Sequence, residues 1–135
     1  ESKIADNESK TSDIAFSNFI GGSKYDSVND VKTDSLGYTY IAGYTQSSKE
    51  DGFTIGGEIP GFCSVHKGND KKKSDDGFIM KLSPDGTKVI YSTYIGGNKR
   101  DAIFSIAVDN EGCAYLAGWT ESSEKDDLPI SDQLR

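Results

Sequence analysis

Acidic side chains recur along this 135-residue chain in a pattern that could place several oxygen ligands around one cation. Asp26 and Asp34 have counterparts at Asp101 and Asp109, at the same offset along the chain, and Glu111 lies just beyond Asp109. Calcium is bound by six to eight oxygen atoms, many of them from carboxylates. Asp101, Asp109 and Glu111 are therefore candidate calcium ligands. The alternative is structural, because a repeated aspartate commonly caps a turn or accepts a hydrogen bond from a neighbouring backbone.

Cys63 and His66, the only histidine in the chain, lie three residues apart. A thiolate beside an imidazole could act as a nucleophile or contribute two ligands to a metal ion. A mononuclear zinc site needs three or four ligands, and a cysteine nucleophile needs a third, orienting group and an oxyanion site. The neighbouring sequence indicates neither set. We therefore expect no catalytic residues, no cofactor other than calcium, and no enzymatic activity.

The long segment 46–76, which contains this pair, carries the other candidate binding residues. It combines aromatic and basic side chains, and nearby aspartates offset the basic charge. Long loops held by a rigid scaffold often carry function, so the segment is a candidate binding loop for a protein or glycan ligand. Its candidate contact residues are Phe53, Phe62, His66, Lys71, Lys72 and Lys73.

Charge and hydrophobicity exclude two classes of partner. The chain has 22 acidic and 15 basic residues, which gives a net charge of −7. Nucleic acids and anionic membrane surfaces attract proteins through basic patches, so we expect neither as a partner. No apolar run reaches the length of about 18 residues that a membrane-spanning helix needs, so we expect no membrane insertion.

An internal repeat determines which elements must position these residues. Residues 16–48 align without a gap on residues 91–123, and 14 of the 33 positions are identical. In each copy, alternating or short apolar runs are bounded by glycine, aspartate and asparagine, a pattern typical of β-strands and tight turns. No segment has helical periodicity. The predicted strands are 15–20, 28–34, 38–45, 78–83, 88–95, 103–109 and 113–120.

The repeated phrase resembles a known β-propeller repeat. It reads Tyr91-Ser-Thr-Tyr-Ile-Gly-Gly97, then Asp101, then Ile106-Ala-Val-Asp-Asn-Glu-Gly112 and Ala114-Tyr-Leu-Ala-Gly-Trp-Thr120. Asp76-Gly-Phe-Ile-Met-Lys-Leu-Ser83 matches the strand that follows this phrase in the family. The chain is similar to the SBBP (seven-bladed β-propeller) repeat family. The resemblance implies an all-β fold of four-stranded antiparallel blades, about one and three-quarter of them in this chain.

The resemblance also implies a division of the chain. The first dozen residues are low in hydrophobicity, so residues 1–14 are expected to form a disordered or tail segment, and residues 15–135 are expected to form propeller repeats. Within the repeats, residues 15–20 would be a strand of a preceding blade, 26–97 a full blade with the long loop 46–76, and 101–123 half of the next blade. Too few blades are present to close a ring, so the expected partners are other blades, either of a longer protein or of further copies.

The family implies a function only in outline. Its members are mostly secreted or surface proteins, so we expect a fragment of a secreted or cell-surface protein, acting as a non-enzymatic scaffold or binding module, for example in adhesion. The alternatives are a self-assembling or filament-forming module and part of a larger propeller hydrolase or lyase. The long loop is either a binding loop or, as in the family, a segment that packs outside the blade. The blade arrangement also separates Cys63 from Cys113, which favours free thiols.

Overall fold

The structure, a computed structural model, describes residues 14–57 and 74–128. Its strands are β1 (Asp26–Thr33), β2 (Thr39–Thr45), β3 (Asp76–Leu82), β4 (Val89–Ile95), β5 (Asp101–Val108) and β6 (Ala114–Thr120). The first sheet has the order β1-β2-β3-β4, and the second pairs β5 with β6, with every pairing antiparallel. The all-β fold is confirmed, with one four-stranded blade and half of another.

Within the described ranges, one short helix follows the last strand, a 3₁₀ helix at Glu124–Asp126. No helix in the same ranges is long and apolar enough to cross a membrane.

Six of the predicted strands form within two residues of their expected limits. Their turns explain this agreement. Between β1 and β2, the Gly37 N–H donates to the Asp34 carbonyl oxygen (3.0 Å), and Gly37 has a φ of 85°. Gly112, its counterpart between β5 and β6, has a φ of 81°. Glycine adopts this left-handed conformation without steric cost, so the turn positions could be read directly from the sequence.

Each sheet also contains a β-bulge at the same point of the repeat. The bulge falls at Asn29 in β1 and at Phe104 in β5. A bulge bends its strand and redirects nearby side chains. It therefore sets which side chains of β1 point toward the second sheet.

The strand predicted at residues 15–20 is wrong, because this segment has irregular backbone. Its counterpart β4 is paired with β3, whereas residues 15–20 have no pairing strand among the described residues. The segment instead packs Phe16 and Ile20 against the first sheet, and Asn18 Nδ2 donates to the Gly86 carbonyl oxygen (2.8 Å). A strand depends on its neighbour for hydrogen bonds, and the apolar pattern alone did not show that the neighbour was missing.

Two apolar clusters cover the opposite faces of the first sheet, because alternate residues of a strand point to opposite sides. One cluster contains Ile41, Phe53, Phe78, Met80, Leu82 and Tyr94. The other contains Tyr40, Ala42 and Ile79 of the first sheet with Ile103 and Ile106 of the second. The second cluster is the apolar core that joins the two sheets.

Candidate functional site

Asp101, the first calcium candidate, is buried at the start of β5 and accepts hydrogen bonds from three residues. Gly97 N and Ser122 Oγ donate to Oδ2 (2.8 and 2.9 Å), and Thr120 Oγ1 donates to Oδ1. Hydrogen bonds to a carboxylate are roughly twice as strong as neutral ones. The side chain therefore ties the turn before β5 to the segment that follows β6.

Asp26 makes the same contacts in the first copy of the repeat. Gly22 N and Ser47 Oγ donate to its Oδ2 (2.7 and 3.0 Å), and Thr45 Oγ1 donates to Oδ1. The recurrence of one hydrogen-bond pattern at both sites indicates that the repeated aspartate is structural.

Asp109, the second calcium candidate, closes the turn between β5 and β6. Its Oδ1 accepts hydrogen bonds from the N–H groups of Glu111 and Cys113 (both 2.9 Å), and Oδ2 accepts one from the Tyr115 hydroxyl (3.0 Å). These bonds, that from Cys113 foremost, hold the pKa of Asp109 below its usual range. Across residues 14–57 and 74–128, no three His, Cys, Asp or Glu side chains are grouped to hold a metal ion. The structure therefore does not bring Asp101, Asp109 and Glu111 together as a calcium site.

Asp51 and Asp126 are a further pair of repeated carboxylates. They lie just beyond the ends of the two aligned segments. Asp126 accepts hydrogen bonds from Ser123 N and Oγ (3.0 and 2.7 Å) and forms an ion pair with Lys99 (3.0 Å). Asp51 makes equivalent contacts with the counterparts of these residues in the first copy. The Ser123 hydroxyl and then Lys99 lower the pKa of Asp126. Continuing the alignment of the two copies slightly past its last position would have found this pair.

The second glycine of each Gly-Gly pair lies too close to the neighbouring backbone to carry a side chain. A Cβ at Gly97 would overlap the carbonyl oxygen of Asp126. A Cβ at Gly22 would lie 2.6 Å from Ser47 Cβ and 2.7 Å from the Asp51 carbonyl oxygen. These distances are shorter than van der Waals contact, so each glycine allows the turn to pack under the segment that carries Asp51 or Asp126.

The bulge in β1 supplies the first polar contacts between the two sheets. Asn29 Nδ2 donates to the Ile103 carbonyl oxygen (2.6 Å), and Asp30 Oδ2 accepts a hydrogen bond from Ile106 N (3.0 Å). The hydrogen bonds from Lys32 and then from Ile106 lower the pKa of Asp30 to about 2. Asp30 is thus ionised at neutral pH and accepts a charge-assisted hydrogen bond from the facing strand.

Tyr40 forms the centre of the contact between the sheets. Its side chain is fully buried, with 0% exposure. Its hydroxyl donates a bifurcated hydrogen bond to the Gly112 carbonyl oxygen (3.0 Å) and Asp34 Oδ2 (3.1 Å). Burial, followed by the hydrogen bond to Asp34, raises the pKa of Tyr40 to about 12. Lys81 Nζ lies 4.6 Å from the centre of the ring and adds a cation–π contact.

Asp75 makes the third polar contact, at the other end of the strands. Its carboxylate forms an ion pair with Arg100 (3.1 Å) and accepts a hydrogen bond from Gln46 Nε2 (2.8 Å). Its carbonyl oxygen accepts a hydrogen bond from Asp101 N (2.7 Å). The Arg100 guanidinium also lies 5.5 Å from the centre of the Trp119 ring. The sheets are therefore joined by hydrogen bonds at both ends and by apolar packing between them.

Comparison with protein-family models gives one match, to the SBBP model, described as a beta-propeller repeat, over residues 90–123. Residues 90–123 are an SBBP beta-propeller repeat. The resemblance to this family is thereby confirmed for this segment. The internal alignment gives residues 16–48 as another copy of the repeat. The first sheet is a propeller blade, and β5 and β6 are half of the next blade. No curated protein and no solved structure gave a match to the chain.

Each outer side of this propeller segment exposes apolar side chains. In the second blade, Tyr115 occupies the repeat position of Tyr40 but is 62% exposed, and Phe104 is 50% exposed. We refer to Phe104 and Tyr115 as the outgoing face. In the first blade, Val28 and Val31 occupy the positions of the buried Ile103 and Ile106, but are 47% and 52% exposed; we refer to them as the receiving face.

Phe53 is the one predicted binding-loop residue that the structure describes, and it does not lie on the surface. It is 1% exposed, and its ring centre lies 5.1 Å from that of Phe78 and 5.6 Å from that of Tyr94. The expectation that Phe53 contacts a ligand is wrong, because the start of the loop packs on the blade. The remaining candidates, Phe62, His66, Lys71, Lys72 and Lys73, lie outside the described residues, as does Cys63.

Cys113 lies exposed at the start of the segment leading into β6. Because Cys63 is not among the described residues, the free thiols expected at both positions stay a prediction.

Proposed function

We propose that this protein is a non-enzymatic β-propeller module that associates head to tail with a second copy of itself, outgoing face against receiving face. One observation carries the proposal. Tyr40 and Tyr115 occupy the same position of the repeat, yet Tyr40 is buried against the next blade and Tyr115 is 62% exposed. An apolar sheet face that one copy of the repeat buries and the next leaves exposed is a candidate interaction surface.

The contact between the two blades of one chain serves as the template for the contact between chains. There, Tyr40 donates to the Gly112 carbonyl oxygen. At the equivalent positions, Tyr115 of one copy would donate to the Gly37 carbonyl oxygen of the second. Phe104 and Tyr115 would cover the receiving face, which removes exposed apolar side chains of both copies from water. Burying apolar surface supplies most of the free energy of such associations.

The two faces are different surfaces, so the association is heterologous. Each copy that docks leaves one outgoing and one receiving face open. Such contacts produce a closed ring if the rotation between copies closes, and a filament if it does not. The receiving and outgoing faces therefore support a scaffold that is assembled from copies of this chain.

The location of this scaffold, outside the cell or at its surface, is proposed from the family resemblance alone. The resemblance to SBBP repeats supports a secreted or cell-surface protein. A protein or glycan ligand for the loop 46–76 stays a prediction for the residues beyond Phe53.

Light scattering at increasing protein concentration tests the association. We expect the wild-type mass to rise above the chain mass of 14.6 kDa in whole multiples. Phe104→Lys/Tyr115→Lys should remain at the chain mass at every concentration. Ile14→Lys/Ile90→Lys adds the same charge to two exposed apolar residues outside both faces and should behave as wild type.

Two results would contradict the proposal. The wild-type protein could remain at the chain mass throughout, which would show that the outgoing face does not bind a second copy. Alternatively, Phe104→Lys/Tyr115→Lys could associate as strongly as wild type, which would place the contact elsewhere. Circular dichroism of each variant checks that it retains the β-sheet fold.

A further inference from the structure

Tyr25, the residue before β1, stacks on Tyr44 of β2. Their ring centres lie 6.0 Å apart and their planes are inclined by 28°. Tyr25 is nevertheless 60% exposed, so the ring face turned away from Tyr44 is open to solvent. An aromatic ring that is held by one neighbour and open on its other face offers a preformed surface on which a ligand can stack.

The second blade carries another exposed planar group at the same position of the repeat. Arg100 is the counterpart of Tyr25, and Trp119 is the counterpart of Tyr44. The Arg100 guanidinium lies 5.5 Å from the centre of the Trp119 ring, and the Arg100 side chain is 53% exposed. Each blade therefore supports an exposed planar side chain on an aromatic ring.

Asp75 connects these two stacked pairs. Its buried carboxylate accepts hydrogen bonds from Gln46 Nε2 (2.8 Å) and Arg100 Nε (3.1 Å). Gln46 N in turn donates to the Tyr25 carbonyl oxygen (2.9 Å). The hydrogen bond with Tyr44 foremost, and the charge of Asp75 among the smaller causes, raise the pKa of Tyr25. The carboxylate therefore lies near the exposed tyrosine and holds Gln46 and Arg100 beside it.

Gln46 and Arg100 have further polar atoms with which a ligand can bond. The contacts of Arg100 with Asp75 involve Nε and one terminal nitrogen, and a guanidinium carries more N–H groups on its second terminal nitrogen. Gln46 uses Nε2 toward Asp75, and its Oε1 is an acceptor. N–H donors and a carbonyl acceptor therefore lie together. A sugar hydroxyl both donates and accepts hydrogen bonds, so it matches this combination.

Gln46 and Asp75 also lie near the two ends of the loop 46–76. The hydrogen bond between their side chains closes the loop at its base. Long loops held by a rigid scaffold often carry function. A ligand on Tyr25 therefore lies next to the base of the segment that the sequence identifies as a candidate binding loop.

We propose that Tyr25, Gln46 and Arg100 bind a neutral oligosaccharide at the junction of the two blades. One sugar ring stacks on Tyr25, and hydroxyls of the sugar chain bond to Gln46 and Arg100. An uncharged ligand is favoured, because the Asp75 carboxylate neutralises the Arg100 guanidinium (3.1 Å). A protein partner is disfavoured, since protein interfaces are depleted of charged residues at their centre. The site uses no residue of the outgoing or receiving face, so it goes beyond the proposed self-association.

The arrangement of these groups favours glucose in β linkage. Every hydroxyl of a β-glucose ring is equatorial, so both faces of the ring carry only C–H groups. The face of an aromatic ring is electronegative and attracts such C–H groups. Equatorial hydroxyls point outward in the plane of the sugar ring, toward polar side chains at the edge of Tyr25.

NMR titration of the isotope-labelled chain with cellotetraose, a linear chain of β-linked glucose, tests the proposal. We expect saturable shifts of the Gln46 side-chain NH₂ and Arg100 Nε–H signals, with a Kd of about 1 mM or lower. The absence of saturable shifts up to about 10 mM cellotetraose would overturn the proposal. Saturable shifts elsewhere that leave both of these signals unchanged would overturn it as well.

An α-linked mannotetraose is the matched control ligand. Its axial hydroxyls interrupt the C–H face that stacks on an aromatic ring, so it should bind at least about tenfold more weakly. Equal affinity for the two sugars would show that no C–H face is recognised and would overturn the stacking on Tyr25.

Variants at Tyr25 locate the stacking contact. Tyr25→Ala removes the ring and should weaken cellotetraose binding about tenfold, whereas Tyr25→Phe keeps the ring and should bind as wild type does. Phe19→Ala removes another exposed aromatic ring, beside the turn between β3 and β4, and should also bind as wild type. Equal affinities of Tyr25→Ala and Phe19→Ala would overturn the assignment.

Phe104→Lys/Tyr115→Lys separates this site from the self-association surface. The variant should bind cellotetraose with the wild-type Kd, whether or not the wild-type chains associate. Loss of cellotetraose binding in this variant would overturn the assignment to Tyr25, Gln46 and Arg100, and would leave the self-association to its own test.

Discussion

At the scale of single residues, aspartate determines how this chain turns back on itself. Asp101 ties the turn before β5 to the residues after β6, and Asp109 closes the turn between these strands. An ionised carboxylate has two oxygens that only accept hydrogen bonds, so one side chain can satisfy several backbone and hydroxyl donors. The internal repeat thus preserves a structural arrangement of donors around a carboxylate.

Asp101→Asn should lower the free energy of unfolding by about 1–3 kcal/mol. The amide loses the charge that strengthens the bonds from Gly97, Thr120 and Ser122, and it places its NH₂ group against donors. Urea denaturation monitored by circular dichroism measures the change. Glu111→Gln, at an exposed position, is the control and should leave the stability close to that of wild type, as surface substitutions usually do.

The same measurement distinguishes the structural role from cation binding. Equal destabilisation by Asp101→Asn and Glu111→Gln would contradict the structural role. So would a higher wild-type denaturation midpoint on addition of calcium, since a ligand that binds the folded state stabilises it.

The carboxylate of Asp30 makes the contact between the blades sensitive to acid. Its pKa is lowered to about 2 in the folded protein, below an unfolded value of about 3.9. A lowered pKa contributes stability that is complete above about pH 4 and is lost as the pH falls through about 2. We therefore expect the stability difference between wild type and Asp30→Asn to be constant from pH 7 to 5 and to shrink below pH 4.

Urea denaturation at a series of pH values measures this difference. A difference that stays constant down to pH 2 would show that Asp30 does not gain its stabilising contacts through ionisation.

At the scale of elements, the Gly-Gly turns set how closely each strand exit packs against the segment beneath it. Gly97→Ala should destabilise the fold by about 1–3 kcal/mol, the usual cost of forcing a methyl group into a packed position. The reason is the overlap of the new Cβ with the Asp126 carbonyl oxygen. Thermal unfolding compares it with Gly56→Ala, whose Cβ meets no atom within 4 Å. Equal melting temperatures for the two variants would contradict this reading of the turn.

The elements also show what the sequence can and cannot predict. The six strands that belong to a sheet could be predicted from the sequence, because their apolar pattern and the glycines of their turns are local features. Residues 15–20 have the same apolar character, but a strand also needs a paired neighbour, which the local pattern does not show. Phe53 was assigned to a binding loop because its loop is long and combines aromatic with basic side chains. Its burial follows from contacts with Phe78 and Tyr94, which are distant in sequence.

At the scale of the whole molecule, the repeat preserves only some of the residues that join the two blades, such as Tyr40, whose counterpart is Tyr115. Asn29 and Asp30 hydrogen-bond to the second blade, but their counterparts are Phe104 and Ser105. The outgoing face of the second blade is therefore more apolar than the equivalent face of the first blade, because Phe104 replaces Asn29. The repeat identifies where the interface lies and preserves its central tyrosine, whereas the polar contacts of Asn29 and Asp30 are particular to this pair of blades.

Mixing two complementary variants tests head-to-tail association most directly. Phe104→Lys/Tyr115→Lys retains an intact receiving face, and Val28→Lys/Val31→Lys retains an intact outgoing face. Neither variant alone should associate, because each lacks one half of the interface.

In an equimolar mixture, light scattering should show a species of twice the chain mass of 14.6 kDa. Nothing larger should form, because each pair leaves only altered faces open. A mixture that remains at the chain mass, or a single variant that associates without the other, would contradict the account.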